Sequence, residues 1–311
     1  MNWTRKDLHA LSALSAEEIT FVLDTAAEFK GVGQRRLKKF PSLRGKTLVN
    51  LFVEASTRTR TSFELAAVRL SADVVNISTS ASSLSKGESL KDTAKTLEAL
   101  AADLIVLRHS AAGAAQFLAE RLRAGVINAG DGSHEHPTQG LLDVFTIRER
   151  LGRVAGVKVG IVGDIRFSRV ARSNLEALTK LGAEVTLIGP STLVPREFAR
   201  TGARITHRLD DVLGELDVIN LLRIQHERQR AGYFPGTGEY ASLFGLNAAR
   251  AERLKPGALV MHPGPINRGV ELDGAVADGP QSVILDQVTN GLAVRMAVLF
   301  LCGSVPPPEN S

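Results

Sequence analysis

The sequence has 311 residues, 44% hydrophobic and 23% charged, a balance that suits one large or two ordinary globular domains and excludes disorder, collagen-like repeats and coiled coil. Lys plus Arg number 38 against 33 Asp plus Glu, a formal charge of +5 that favours small anions; the one basic cluster, Gln34-Arg35-Arg36-Leu37-Lys38-Lys39, has no interleaved aromatics for base stacking, so no nucleic acid is expected. No apolar run reaches the roughly 18 residues of a membrane span, and Met1-Asn2-Trp3-Thr4-Arg5-Lys6 lacks the apolar stretch of a signal peptide, so a cytoplasmic location without a membrane partner is expected.

Taken in chain order, Ser15-Ala16-Glu17-Glu18 reads as a capping box, followed by Ile19, Val22, Leu23, Ala26 and Ala27 at helical spacing up to about Gly31. Residues 47–53 form a short apolar run of the kind found in strands covered on both faces. Helical 62–70 then leads to strand 74–77, helical 89–100 to strand 104–107, and helical 114–121 to strand 126–128. A helix over 138–150 reaches Gly152, and a second series starts with strand 157–162, continuing with strands 184–188, 218–222 and 259–261 and helices 168–181 and 247–254. An apolar helix over 286–301 closes the series before Pro306-Pro307-Pro308, which stops a helix. Cys302 at its end reads as a packed side chain. Strands alternating with helices predict an α/β protein of two parallel-sheet domains flanked by helices, with the last helix packing back across them.

In open α/β sheets ligands bind beyond the carboxyl ends of the strands. There the first strand runs into Glu54-Ala55-Ser56-Thr57-Arg58-Thr59-Arg60-Thr61-Ser62-Phe63-Glu64. Unpaired amides at a helix start, several hydroxyls and guanidinium forks can together saturate a phosphate, whereas an ordinary helix start needs a single cap. Known nucleotide loops do not fit. Gly45-Lys46-Thr47 precedes its strand and lacks the first Walker glycine, and Gly160-x-x-Gly163 lacks the G-x-G-x-x-G spacing of a dinucleotide site. Arg108 closes the third strand, where surface charge and ligand contact are equally open readings. His136 precedes a Pro-started helix, where an imidazole can polarise a carbonyl or simply cap the helix. His134-x-His136 has no third ligand at helical spacing, so no metal is expected. Arg169 and Arg223, near later strand ends, suit a dicarboxylate needing two bidentate partners, or else are salt-bridged surface arginines.

The run Phe52-x-Glu54-x-Ser56-Thr57-Arg58-Thr59-Arg60 resembles the carbamoyl-phosphate signature of the aspartate and ornithine carbamoyltransferases. Further segments agree in order: His136-Pro137-Thr138-Gln139 with Leu141-Leu142-Asp143, Gly163-Asp164-Ile165 with Ser168-Arg169, Arg223-Ile224-Gln225-x-Glu227-Arg228, and His262-Pro263-Gly264-Pro265-x-Asn267-Arg268-Gly269. They resemble the aspartate branch, because Pro263 stands where ornithine enzymes carry a Cys and no Ser-Met-Gly occurs. Gly140 takes a place the family usually fills with alanine.

The resemblance implies transfer of the carbamoyl group of carbamoyl phosphate to the amine of L-aspartate, giving N-carbamoyl-L-aspartate and phosphate in pyrimidine biosynthesis, with no cofactor. It implies a carbamoyl-phosphate domain over 1–140, completed by the helix 286–303, and an aspartate domain over 152–285. Ser56, Thr57, Arg58 and Thr59 would hold phosphate; Arg108 would touch phosphate and carbonyl, His136 the carbonyl, Gln139 the carbamoyl nitrogen; Arg58, Thr59, Arg108 and His136 are the expected catalytic set. Backbone at Pro263, Gly264 and Pro265 would accept from the substrate amines, and Arg169, Arg223 and Gln225 would serve aspartate. Ser82 and Lys86 would reach from a neighbouring subunit into a site shared within a homotrimer, and a hinge for closure is expected near 136–152. Regulatory or dihydroorotase partner chains carry no motif, and the sequence leaves them open.

Overall fold

In a computed structural model, which describes residues 2–33, 38–78, 87–224, 233 and 236–306, the capping box is made: Glu18 N–H donates to Ser15 Oγ (3.2 Å) and Ser15 N–H to Glu18 Oε2 (2.8 Å). Helix α1 (Ala16–Gly33) therefore starts with two end amides satisfied reciprocally. Its Ile19, Val22, Leu23 and Ala26 are buried, as the spacing predicts. Then follow β1 (Thr47–Phe52), α2 (Thr57–Arg69), β2 (Asp73–Ser78), α3 (Leu90–Ala99), β3 (Leu104–His109), α4 (Ala114–Ala119), β4 (Gly125–Asp131) and α5 (Pro137–Leu151). The four strands form a parallel sheet in the order β2-β1-β3-β4. All of β1 except its first residue, and all of β4, are buried, as expected of strands covered on both faces.

The second series comprises β5 (Lys158–Val162), α6 (Arg169–Lys180), β6 (Glu184–Ile188), β7 (Arg204–Thr206), β8 (Val218–Leu221), α7 (Thr237–Phe244), α8 (Ala248–Ala251), β9 (Leu259–Met261), α9 (Gly274–Ala277) and α10 (Ile284–Ser304). Its strands form a parallel five-stranded sheet, β7-β6-β5-β8-β9. The chain divides into two compact units, residues 1–141 with 289–311, and residues 142–288. Helices α5 and α10 each contribute residues to both. Each unit has its own core, with Val49, Leu51, Ile105, Leu107 and Leu118 in the first and Val162, Ile188, Ile219, Leu221 and Leu246 in the second. Each fully buried aliphatic side chain contributes about 1.5–3 kcal/mol.

Several boundaries differ from the sequence reading. Helix α2 starts at Thr57, not Ser62, so the hydroxyl and arginine run forms the helix's own first turn. Strand β7 has a single apolar residue, Ile205, and α7 lies between Gly236 and Gly245 with Gly238 inside it, so the first is too polar, and the second, despite Tyr240 and Phe244 one turn apart, too short and glycine-rich to stand out in the sequence. Helix α10 extends two residues further toward its start and ends at Ser304, before Pro306. Its 21 residues are long and apolar enough for a membrane span; yet Val294, Ala297, Val298 and Leu299 are buried within the protein, and it carries Asp286, Asn290 and Arg295, as a core helix can. Cys302 is buried in the same helix, and burial pushes its thiol pKa up, which makes it inert as a nucleophile.

Candidate active site

In the first sheet the chain steps from β1 outward to β2 and returns to β3, so the strand order reverses between β1 and β3. Loops diverge at such a point and leave a crevice beyond the carboxyl ends. Phe52 pairs with Arg108 across it, and Val53 N–H donates to Arg108 O (2.9 Å). Ser56 is the N-cap of α2, in an extended conformation (φ −162°, ψ 97°), and its side chain makes no capping hydrogen bond. A helix start in which the cap hydroxyl is not used on the helix suits a ligand that would take its place. The first helical bond at this end runs from Arg60 N–H to Ser56 O (3.2 Å). The amides of Thr57, Arg58 and Thr59 precede it, with the Thr57 and Arg58 side chains exposed and Thr59 buried. Arg108 is held in place: Nη2 donates to Glu54 Oε1 (2.8 Å) and Nη1 to Ala129 O (3.2 Å).

His136 is buried at the start of α5, after β4 on the same edge of the sheet, and its carbonyl accepts from Gln139 N–H (2.9 Å) and Gly140 N–H (3.2 Å). The turn leading to it is fixed by two carboxylates. Asp131 accepts from Gly113 N–H (2.6 Å), Glu135 N–H (3.1 Å) and Asn128 Nδ2 (2.8 Å). Glu135 accepts from Leu11 N–H (2.8 Å) and from Ser12 N–H and Oγ. His134 turns its Nδ1 to Asp131 Oδ2 (3.0 Å). Among the described residues no three His, Cys, Asp or Glu side chains gather as ligands. Behind α2, buried Arg295 donates to Ser62 Oγ (2.9 Å) and lies 5.3 Å from the Phe63 ring centre.

In the second sheet the order reverses between β5 and β8. Gly163 follows β5 at φ +129°, and a Cβ there would lie 2.8 Å from Leu222 O, so only glycine lets the two strand ends approach. Arg169 opens α6 behind its N-cap Ser168, whose hydroxyl accepts from Ala171 N–H (3.1 Å). It is 3% exposed, which removes the reading of a surface arginine, while Arg223 is half-buried just beyond β8. Tyr240 is buried beside this end, its hydroxyl pKa pushed up by burial and by Glu271 and Asp164. After β9 come Pro263, Gly264 (φ +67°) and Pro265, joined by a cis Gly264–Pro265 bond. Ser82, Lys86 and Gln225 lie outside the described residues. Of the predicted residues, Ser56–Thr59, Arg108, His136 and Gln139 thus fall at the carboxyl edge of the first sheet, and Arg169, Arg223 and Pro263–Pro265 around that of the second. Glu54, which holds Arg108, Asp131 and Glu135, which fix the turn before His136, and Arg295, which lies behind α2, are assigned no role in the sequence reading.

Residues 6–149 match the family described as "Aspartate/ornithine carbamoyltransferase, carbamoyl-P binding domain", and residues 155–302 match its "Asp/Orn binding domain". The chain belongs to the aspartate/ornithine carbamoyltransferase family. It is 60% identical over 310 residues to the aspartate carbamoyltransferase catalytic subunit of Opitutus terrae, covering 100% of this chain and 98% of that one. Among solved structures it resembles aspartate transcarbamoylase from Trypanosoma cruzi in complex with carbamoyl phosphate and aspartate (TM-score 0.86, 32% identity, 96% and 97% of the two chains). It resembles ornithine carbamoyltransferase from Pyrococcus furiosus equally well (TM-score 0.86, 33% identity, 100% of both chains). The fold alone therefore does not separate the branches.

Proposed function

We propose that this chain transfers the carbamoyl group of carbamoyl phosphate to the amine of L-aspartate, giving N-carbamoyl-L-aspartate and phosphate, a step of pyrimidine biosynthesis. The observation that carries the branch is the segment His262-Pro263-Gly264-Pro265, with Pro263 where ornithine enzymes carry Cys. The 60% identity to an aspartate carbamoyltransferase catalytic subunit supports it.

The unit of residues 1–141 and 289–311 binds carbamoyl phosphate. Its phosphate oxygens take the amides and hydroxyls at Ser56, Thr57 and Thr59 and the Arg58 guanidinium, with the helix N-terminus adding its positive end. Thr59, Arg108 and His136 point donors at the carbonyl oxygen, and Gln139 holds the carbamoyl nitrogen. The unit of residues 142–288 binds L-aspartate through Arg169, Arg223 and Gln225, one fork for each carboxylate. Backbone at Pro263, Gly264 and Pro265 accepts from the substrate amines. The neutral amine attacks the carbonyl carbon, a C–N bond forms, the C–O bond to phosphate breaks, and the proton shed by nitrogen goes to the departing phosphate. Donors fixed beforehand at the developing oxyanion are worth roughly 3–4 kcal/mol each when removed. The bonds that hold Arg108 and the turn before His136 supply that preorganisation. We place the chain in the cytoplasm as a homotrimer in which Ser82 and Lys86 of one subunit complete a neighbour's site.

The test is incubation of the purified chain with carbamoyl phosphate and either L-aspartate or L-ornithine, with products identified by mass spectrometry. Carbamoyl-aspartate alone is expected. Carbamoyl-ornithine would overturn the branch, and no product with either would overturn the reaction.

A further inference from the structure

The second unit contains a buried polar chain that the reaction above does not use directly. His262, 1% exposed, follows β9 and precedes the Pro263–Gly264–Pro265 backbone. Its Nδ1 accepts from Gly264 N–H at 2.8 Å. Because that amide only donates, Nδ1 holds a lone pair, and the ring proton of the neutral imidazole is on Nε2. Nε2 faces Glu271 Oε1 at 3.1 Å, with both side chains fully buried. The same carboxylate oxygen accepts from Asn267 N–H (2.6 Å), which closes the loop's far side. On the near side, His262 N–H donates to Gln287 Oε1 (2.9 Å), and Gln287 Nε2 donates to Asp143 Oδ1 (2.7 Å). Asp143 in turn accepts from Asn174 Nδ2 (2.7 Å) on α6.

Carboxylates and amides this deeply buried are costly to desolvate, and a well-packed apolar set of the same volume would hold a core as well or better. A role in fixing one particular geometry accounts for the arrangement. We propose that His262 and Glu271 are positioning residues for the amine-binding backbone: Glu271 selects the Nε2–H tautomer of His262, and Nδ1 of that tautomer fixes Gly264. The inference rests on the reading that the 263–265 backbone accepts from the substrate amines. Gly264 at φ +67° sits where only its own hydrogen bonds and its neighbours define the direction of its peptide planes. Neighbouring carbonyls aimed by that amide are the acceptors for aspartate's nitrogen, and small misplacements of such groups are expensive in rate.

The two bonds of the imidazole can be separated by substitution. In His262→Asn, Oδ1 replaces Nδ1 at the same distance along the side chain, so the Gly264 acceptor is kept and the Glu271 link is lost. In His262→Gln, Nε2 replaces the ring Nε2, so the Glu271 link is kept and the Gly264 acceptor is lost. Steady-state kinetics of both variants, with melting temperatures and the inhibition constant of inorganic phosphate, form the experiment. His262→Gln is expected to lower kcat/KM for L-aspartate on the order of 10-fold below His262→Asn, while phosphate inhibition, a property of the other unit, stays within about two-fold of wild type. Equal losses in the two variants, or losses that simply follow melting temperature, would overturn the proposal. If either variant fails to fold, Glu271→Gln, which keeps an acceptor for both donors, is compared with Glu271→Leu, which keeps none. The same order of difference is expected, and equal kcat/KM would overturn it. Wild-type chain that makes no carbamoyl-aspartate would instead refute the underlying reaction, so the two failures are distinct.

Discussion

Arg108, which we assign to the carbonyl oxygen, is already oriented in the structure, with one guanidinium nitrogen on the Glu54 carboxylate and another on the Ala129 carbonyl. An arginine that had to find its direction during the reaction would lose rotamer entropy at that moment. Glu54→Gln keeps the volume and a neutral acceptor but removes the charge-assisted bond. Turnover of that variant should fall on the order of 10-fold, with the KM for L-aspartate within about two-fold of wild type, measured by steady-state kinetics. Wild-type turnover would show that Arg108 needs no such anchor. The sequence displays Glu54 inside a recognisable motif, but its partner lies 54 positions away. Only the pairing of β1 with β3 brings them together. Arg295 and Ser62 are 233 positions apart and His262 and Glu271 meet across a turn, so the residues we assign to ligand stand in local patterns whereas those that hold their surroundings do not.

At the scale of elements, the side-chain cap of α1 was legible because Ser15 and Glu18 form a local pattern, whereas the equally local caps of α3 and α6, Ser89 with Asp92 N–H and Ser168 with Ala171 N–H, lack the paired Ser and Glu of a capping box and emerge only from the structure. Strands β6 and β9 likewise match their expected limits, since each is a compact, mostly apolar run. Helix α8 lies inside the expected 247–254 but is shorter, and short or polar elements such as it and β7 depend on tertiary contacts. Helix α8, four residues long, is tied by Arg250, which donates to both oxygens of Asp210 (3.1 and 2.8 Å) and to Gly245 O. The hydrogen bond from Arg250, joined by Arg253, holds the Asp210 pKa below the ordinary aspartate value of 3.8. A depressed folded-state pKa means that this stabilisation is complete above about pH 4 and is lost as pH falls through the folded value. Asp210 is 43% exposed, so the contribution is discounted to about 0.5–1 kcal/mol. Asp210→Asn should therefore be less stable than wild type by that amount at pH 7 in urea titrations, and the two should converge as the pH falls below the ordinary aspartate range and through the folded-state value. A difference independent of pH would show that packing, not charge, is responsible.

Across the whole molecule, two parallel sheets each reverse strand order once, β1 to β3 in one and β5 to β8 in the other, and the proposed ligand groups lie at those two carboxyl edges. The alternation of strands and helices made this architecture readable, and the hydroxyl and arginine run marked the first edge. The second edge was less legible, because Arg169 and Arg223 resemble any surface arginine until the burial of Arg169 and the close approach at Gly163 are seen. We assign phosphate to the first unit and the amino acid to the second. Calorimetric titration of inorganic phosphate into wild type, Arg58→Ala and Arg223→Ala tests that division directly. The prediction is binding to wild type, loss of binding in Arg58→Ala without a change in melting temperature, and phosphate affinity within about two-fold of wild type in Arg223→Ala. Phosphate binding that survives Arg58→Ala, or that is lost equally in both variants, would contradict it.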